Sequence, residues 1–199
     1  MAFGEDVVSR EPGGGEGQEL GRGKRRARTP RPSPSQLPPE ERFAKGLSAA
    51  MRLLASRERS RAELRAKLAG KGYPRETIEA VLDRLQESEL QSDERFADAY
   101  AMEAQRSRGL SSYAVQGELR RRGVTKDLAA VAATEAPEDE EARATELATR
   151  RAVRLAAYPA DVRYRRILSF LARRGYPAEL CRRLAARAAD IQGDAPATP

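Results

Sequence analysis

The stretch Leu64-Arg65-Ala66-Lys67-Leu68-Ala69-Gly70-Lys71-Gly72-Tyr73-Pro74 decides the fold. Leu64 and Leu68 stand four apart, so they share one face of a helix. Gly72 follows at the same interval, where a helix needs a left-handed residue to stop. Pro74 suits the first turn of a following helix, because that position loses no N–H partner. The pattern returns as Val115-x3-Leu119-x3-Gly123-Val124-Thr125 and again as Ile167-x3-Leu171-x3-Gly175-Tyr176-Pro177, with the glycines 51 and 52 residues apart. Thr125 can act as an N-cap in place of the proline. Glu76, Asp127 and Glu179 fall in the first turn after each glycine, where negative charge meets the positive helix end. Each instance reads as helix, tight turn, helix.

Outward from these turns, three further helical stretches precede the pairs, at 42–56, 93–107 and 138–156. Ser60-Arg-Ala-Glu63 is a capping-box pattern that opens the second helix of the first unit. Glu138-Asp-Glu-Glu141 after Pro137 reads as acids favouring a helix N-terminus rather than as a cation site. No stretch alternates with period two long enough for a strand. The expected fold is all-α: three tandem three-helix, helix-turn-helix-like repeats at 42–90, 91–136 and 137–191. A unit of about fifty residues has a small core. Stacked neighbours would bury the remaining apolar faces, as in a solenoid, and give an elongated, curved molecule. The period is too long for a tetratricopeptide array, and with no Trp its signature is missing.

The ends read differently. Residues 1–41 hold seven Gly and six Pro with almost no periodic apolar positions. Such a segment cannot bury enough surface to offset its ordering entropy, so a disordered tail is expected there. It carries the basic run Lys24-Arg-Arg-Ala-Arg28, largely offset by its own acids. Residues 192–199 are expected to be flexible.

Composition removes whole classes of function. The 199 residues contain no His and one Cys. That excludes His-based catalytic sets, imidazole metal ligands and intrachain disulfides. No apolar run reaches the roughly 18 residues of a membrane span, and no signal core opens the chain. A soluble cytoplasmic protein with no cofactor, no metal site and no catalytic residue is expected. Cys181 lies beside Leu180 and Leu184 on an apolar stripe and reads as a core residue.

Charge is what remains, at a formal +7 and a pI near 9.9. In helix-turn-helix DNA readers the helix after the turn enters the major groove. Here those third helices sum to −2, −1 and +1, which argues against base readout. The second helices sum to +3, +2 and +4, and the residue before each glycine is basic: Lys71, Arg122 and Arg174. A cation at a helix C-terminus is favourable in itself, but a positive stripe also attracts a polyanion or an acidic partner. The candidate contact residues are Arg61, Arg65, Lys71, Arg120, Arg121, Arg122, Arg163, Arg165, Arg166, Arg173 and Arg174. Tyr73, Tyr100, Tyr113, Tyr158, Tyr164 and Tyr176 could stack bases, but most fall at core or junction positions.

These residues also resemble a known family. Leu53-Leu54 through Leu85, with Ser60-Arg-Ala-Glu63-Leu64 and Gly72-Tyr73, is similar to the opening repeat of the bacterial RecX regulators. Asp93-Glu-Arg-Phe96-Ala-Asp-Ala-Tyr100 and Arg108-Gly109 through Glu118-Leu-Arg-Arg-Arg122-Gly-Val124 resemble their second repeat. The third unit matches mainly in its Ile167, Leu171 and Gly175-Tyr176 frame, and the resemblance covers about residues 43–190. It implies a non-enzymatic modulator that binds the RecA recombinase and its filament on single-stranded DNA. The binding place it implies is the helical groove, and the effect is restraint of ATPase, strand exchange and co-protease activity in recombination, repair and the SOS response. A monomer is expected. The alternative is a sequence-nonspecific DNA-binding protein that acts through DNA alone.

Overall fold

The computed structural model describes residues 33–190, and these hold nine α-helices and no strand. The helices are α1 (Pro39–Leu54), α2 (Arg61–Ala69), α3 (Arg75–Glu87), α4 (Asp93–Arg108), α5 (Ser112–Arg121), α6 (Lys126–Ala133), α7 (Pro137–Val153), α8 (Ala160–Ala172) and α9 (Ala178–Ala189). The basic run at 24–28 and the stretch 192–199 lie outside the described residues. Residues 33–41 do not belong with a disordered tail. Pro38 is the extended N-cap and Pro39 the first residue of α1, with Glu40 and Glu41 in the first turn. The two prolines that look like tail composition are a helix start signal.

The turns follow the sequence pattern. Gly72, Gly123 and Gly175 adopt φ of +84°, +84° and +85°. After Gly123 the chain closes as a helix stop should: Val124 N–H donates to Leu119 O (3.1 Å) and Gly123 N–H to Arg120 O (3.0 Å). Thr125 Oγ1 accepts from Leu128 N–H, and Ser60, Ser92 and Ser111 cap α2, α4 and α5 in the same way. Pro74 and Pro177 are N-caps rather than first-turn residues. Only half of the expected capping box forms at Ser60, because Glu63 turns its carboxylate to Arg57 and Arg122 instead.

Each repeat has its own core. Leu64 and Leu68 pack with Ala50, Val81, Leu82 and Leu85 in the first; Phe96, Ala101, Val115 and Leu119 centre the second; Ile167, Leu171, Cys181 and Leu184 centre the third. Burying one such leucine contributes about 1.5–3 kcal/mol. The substantial helix–helix contacts all fall inside a repeat: α1, α2 and α3 with one another, then α4–α6, then α7–α9. The expected solenoid core is therefore corrected to three separate cores. Small Ala positions such as Ala144, Ala148 and Ala152 are buried in the third repeat's own cluster.

The repeats meet through their turns. The turn of one repeat docks on the N-terminus of the second helix of the repeat before it. Ser60 Oγ donates to Arg122 O (2.6 Å), and a Cβ on Gly123 would come within 2.2 Å of Ala62 Cβ. One repeat later, Ser111 N–H donates to Arg174 O (2.9 Å), and a Cβ on Gly175 would lie 2.7 Å from Ala114 Cβ. Gly72 has no preceding repeat among the described residues; Ser33 and Pro34 lie against it instead.

Candidate functional site

The basic residues of the second helices separate into three surroundings. In the first repeat they are paired. Arg61 Nη2 lies 3.0 Å from Glu79 Oε2 and 2.6 Å from Asp83 Oδ1. Arg65 grips Glu79 with two bonds of 2.7 and 2.9 Å. The Arg65 fork, and then Arg61, outweigh burial and hold the Glu79 carboxyl down to about 2. The positive α2 and negative α3 thus form one ion-pair seam inside the repeat. Lys71 is exposed.

In the second repeat, Arg120 and Arg121 point to solvent, Arg121 with its nearest carboxylate oxygen, Glu118 Oε1, at 4.0 Å. Arg122 does not. Its Nη1 lies 2.6 Å from Glu63 of the first repeat and its guanidinium 4.5 Å from the centre of the Tyr100 ring. Tyr100 also hydrogen-bonds Glu118 and accepts from Arg108 (2.9 Å). Burial pushes the Glu118 carboxyl up, yet the Tyr100 hydroxyl and Arg108 prevail and hold it below the usual carboxylate range.

In the third repeat, Arg165 pairs with Asp161 (2.8 Å), Arg166 lies 4.0 Å from the Tyr158 ring centre, and Arg173 is exposed. Arg163 departs from the expected outward placement: it is 9% exposed, and its Nε has no hydrogen-bond partner among the described residues. It falls on the buried side of α8, four residues before Ile167. Arg174 is half-buried on Phe170, 3.7 Å from the ring centre, and donates to Arg108 O (3.1 Å).

The reading by second helices passes over four arginines of the first helices. Arg106 of α4, with Arg150 and Arg151 of α7 and Arg154 at its end, line a cleft with Arg108 and Arg174. The signal was present, since Arg150 and Arg154 stand four apart and so share a face. Only the meeting of the end of α4 with Leu147 of α7 and with Arg174 just beyond α8 makes them one cluster. Of the tyrosines, Tyr176 is buried and donates to Gly109 O (3.2 Å), whereas Tyr113 and Tyr158 are exposed. Cys181 is buried, and burial pushes its thiol up. Among the described residues no group of His, Cys, Asp and Glu could hold a metal ion. No helix among them is long and apolar enough to cross a membrane.

Comparison with known proteins agrees with the threefold division. Residues 47–85, 92–132 and 138–184 match the first, second and third three-helix domains of RecX. The chain is 42% identical over 145 residues to the regulatory protein RecX of Amycolatopsis mediterranei, covering 72% of this chain and 83% of that one. It is 39% identical over 156 residues to that of Thermobifida fusca, covering 78% and 84%. The crystal structure of RecX from Lactobacillus salivarius superposes with a TM-score of 0.63 at 18% identity, over 73% of this chain and 96% of that one, a likeness of fold.

Proposed function

The chain belongs to the RecX family of regulatory proteins, and from that premise we propose that it binds RecA and RecA–single-stranded DNA filaments and restrains their activity. The observation that carries the reading is where its guanidiniums stand. Arg120, Arg121, Arg166 and Arg173 reach solvent from the second helices of the second and third repeats, while the first repeat neutralises its own. Such a surface attracts the phosphates or acidic side chains of a nucleoprotein filament and adds affinity without sequence preference. A filament groove presents repeated surfaces, and three repeats joined through narrow turns can meet successive protomers. The action is binding rather than chemistry: it inhibits ATP hydrolysis, strand exchange and co-protease activity by occupying the groove.

RecA ATPase measured on saturating single-stranded DNA and titrated with the full-length chain tests this. Inhibition that persists when DNA is in excess supports direct filament binding. Inhibition that vanishes with added DNA points to the alternative, action through DNA alone. R120E/R121E/R166E/R173E should weaken inhibition at least tenfold and steepen its loss with salt; an unchanged inhibition curve removes these residues from the interface.

A further inference from the structure

Six arginines converge where the second repeat meets the third. Arg106 and Arg108 come from the end of α4, Arg150, Arg151 and Arg154 from the end of α7, and Arg174 from just beyond α8. They line a cleft of about 230 Å³. Among the described residues carboxylates reach only two of them: Arg108 meets Glu118 at 2.9 Å and Glu103 at 3.8 Å, and Arg150 meets Glu146 at 3.4 Å. Arg106, Arg151, Arg154 and Arg174 have no ion pair among the described residues.

Structural reasons account for part of this. Three helix C-termini end at the cleft, each worth about half a negative charge, and Arg174 donates to two of their carbonyls, Arg108 O and Phe170 O. Both Arg174 and Arg151 lie over the Phe170 ring, at 3.7 and 5.5 Å. Three half-charges do not balance four guanidiniums without carboxylates. The Nε of Arg151 and of Arg108 are buried and hydrogen-bond to nothing among the described residues. Burial, with Arg173 and Arg151 beside it, lowers the affinity of Arg174 for its own proton. The cleft is therefore short of negative charge and has unused donors.

We propose that this cleft is a binding site for a chain of phosphates, and that its occupant clamps the second repeat to the third. Guanidinium forks match phosphate oxygens. The volume lies below the roughly 300–1,000 Å³ of pockets that hold whole drug-sized molecules, so it takes phosphate groups and leaves any attached sugar and base outside. A second cleft of about 520 Å³ shares Arg151 and adds Arg165, Arg166 and Arg173, which continues the track for a ligand longer than one phosphate. The phosphates can come from a free oligophosphate or from a nucleic-acid backbone. The site stands independently of RecA: it is formed within this chain and is tested without any partner.

The test uses the full-length chain with inorganic tripolyphosphate, followed by calorimetry and by hydrogen exchange of the amides at 109–111 and 174–176. Saturable binding of one tripolyphosphate per chain, with slowed exchange at both stretches, is expected. R150Q/R154Q removes two exposed guanidiniums from the rim and should weaken binding about tenfold or more. R52Q/R75Q, two exposed arginines of the first repeat outside both clefts, should leave it unchanged. Displacement of tripolyphosphate by a short thymidine oligonucleotide supports the site with a strand as its occupant, and binding undisturbed by the oligonucleotide supports it with a free oligophosphate. Absence of saturable binding, or equal weakening in both double variants, overturns the proposal. Binding without slowed exchange overturns the clamp.

Discussion

The two junctions between repeats use the same joint and opposite electrostatics. In each, a turn glycine docks on the start of the preceding repeat's second helix, and the carbonyl of the basic residue before it accepts a bond from the N-capping serine there. At the first junction the arginine itself is answered: Arg122 meets Glu63, Arg95 meets Glu58, and Asp93 accepts from Arg61 N–H at 2.7 Å. At the second, Arg143 pairs with Glu135 and donates to Leu110 O (3.1 Å), but Arg174 meets a backbone carbonyl and other arginines. The comparison shows that a repeated backbone joint does not fix the charge around it. One junction is closed within the chain, and the other leaves positive charge for something else to meet.

The largest effects should come from the joint itself. Gly123→Ala meets both a left-handed φ, which costs about 1–2 kcal/mol for a residue with a Cβ, and Ala62 at 2.2 Å. Gly175→Ala meets the same φ and two longer contacts, Ala114 Cβ and Ser111 Oγ, each at 2.7 Å. Urea unfolding should rank G123A below G175A, with both well below the natural chain. Gly117→Ala adds a Cβ to a mid-helix site with nothing within 4 Å, so it should gain up to about 1 kcal/mol. An equal loss at all three positions would mean that docking does not limit stability.

Next come the serines. Ser60→Ala removes both the α2 cap and the donor to Arg122 O, and should cost about 1–2 kcal/mol. Ser111→Ala removes only the α5 cap, because its tie to Arg174 is through its backbone N–H; about 1 kcal/mol is expected. Denaturation midpoints of the two variants check the difference, and a larger loss at Ser111 would reverse the assignment of the two joints.

Salt should then push the junctions in opposite directions. Raising the salt from about 0.1 to 1 M shortens the Debye length from about 10 to 3 Å. Amide exchange around 60–63 and 122–124 should speed up as the Arg122–Glu63 pair weakens. Exchange around 109–111 and 174–176 should slow as repulsion among Arg106, Arg151, Arg154 and Arg174 is screened. A common direction at both junctions would contradict the contrast.

The smallest effect concerns pH. Glu79 titrates near 2 in the folded chain, below its ordinary value of about 4.3. Its pairing with Arg65 and Arg61 is therefore complete above the ordinary value and is lost as pH falls toward 2. Glu79 is about a third exposed, so the contribution stays within about 1 kcal/mol. Thermal unfolding between pH 5 and 2 should be less steep in E79Q; identical slopes would show that the pair adds nothing.

Much of the fold was legible in the chain. The repeated Leu64/Leu68/Gly72 frame marks three helix pairs, because the i, i+4 stripe and the left-handed stop are local requirements that each repeat must satisfy alone. Pro38 and Pro39 misled for the converse reason: composition places them in a tail, whereas Pro39 at the first helical position starts α1. The candidate site was legible only in part. Counting charge by helix places Arg120 and Arg121 outward, and they are exposed, yet it also credits the surface with Arg61 and Arg65, which α3 neutralises, and with Arg163, which is buried. It also misses Arg150 and Arg154, because the cleft is assembled from helices far apart in the chain.

The amino-acid order alone determined the helices, their stops and the number of repeats, since those depend on spacings of three and four residues and on glycine's lack of a Cβ. Which arginines are cancelled and which remain free was decided only when the helices packed, because a guanidinium's fate depends on the carboxylate or carbonyl brought within about 3 Å of it, and sequence separation sets no limit on that partner.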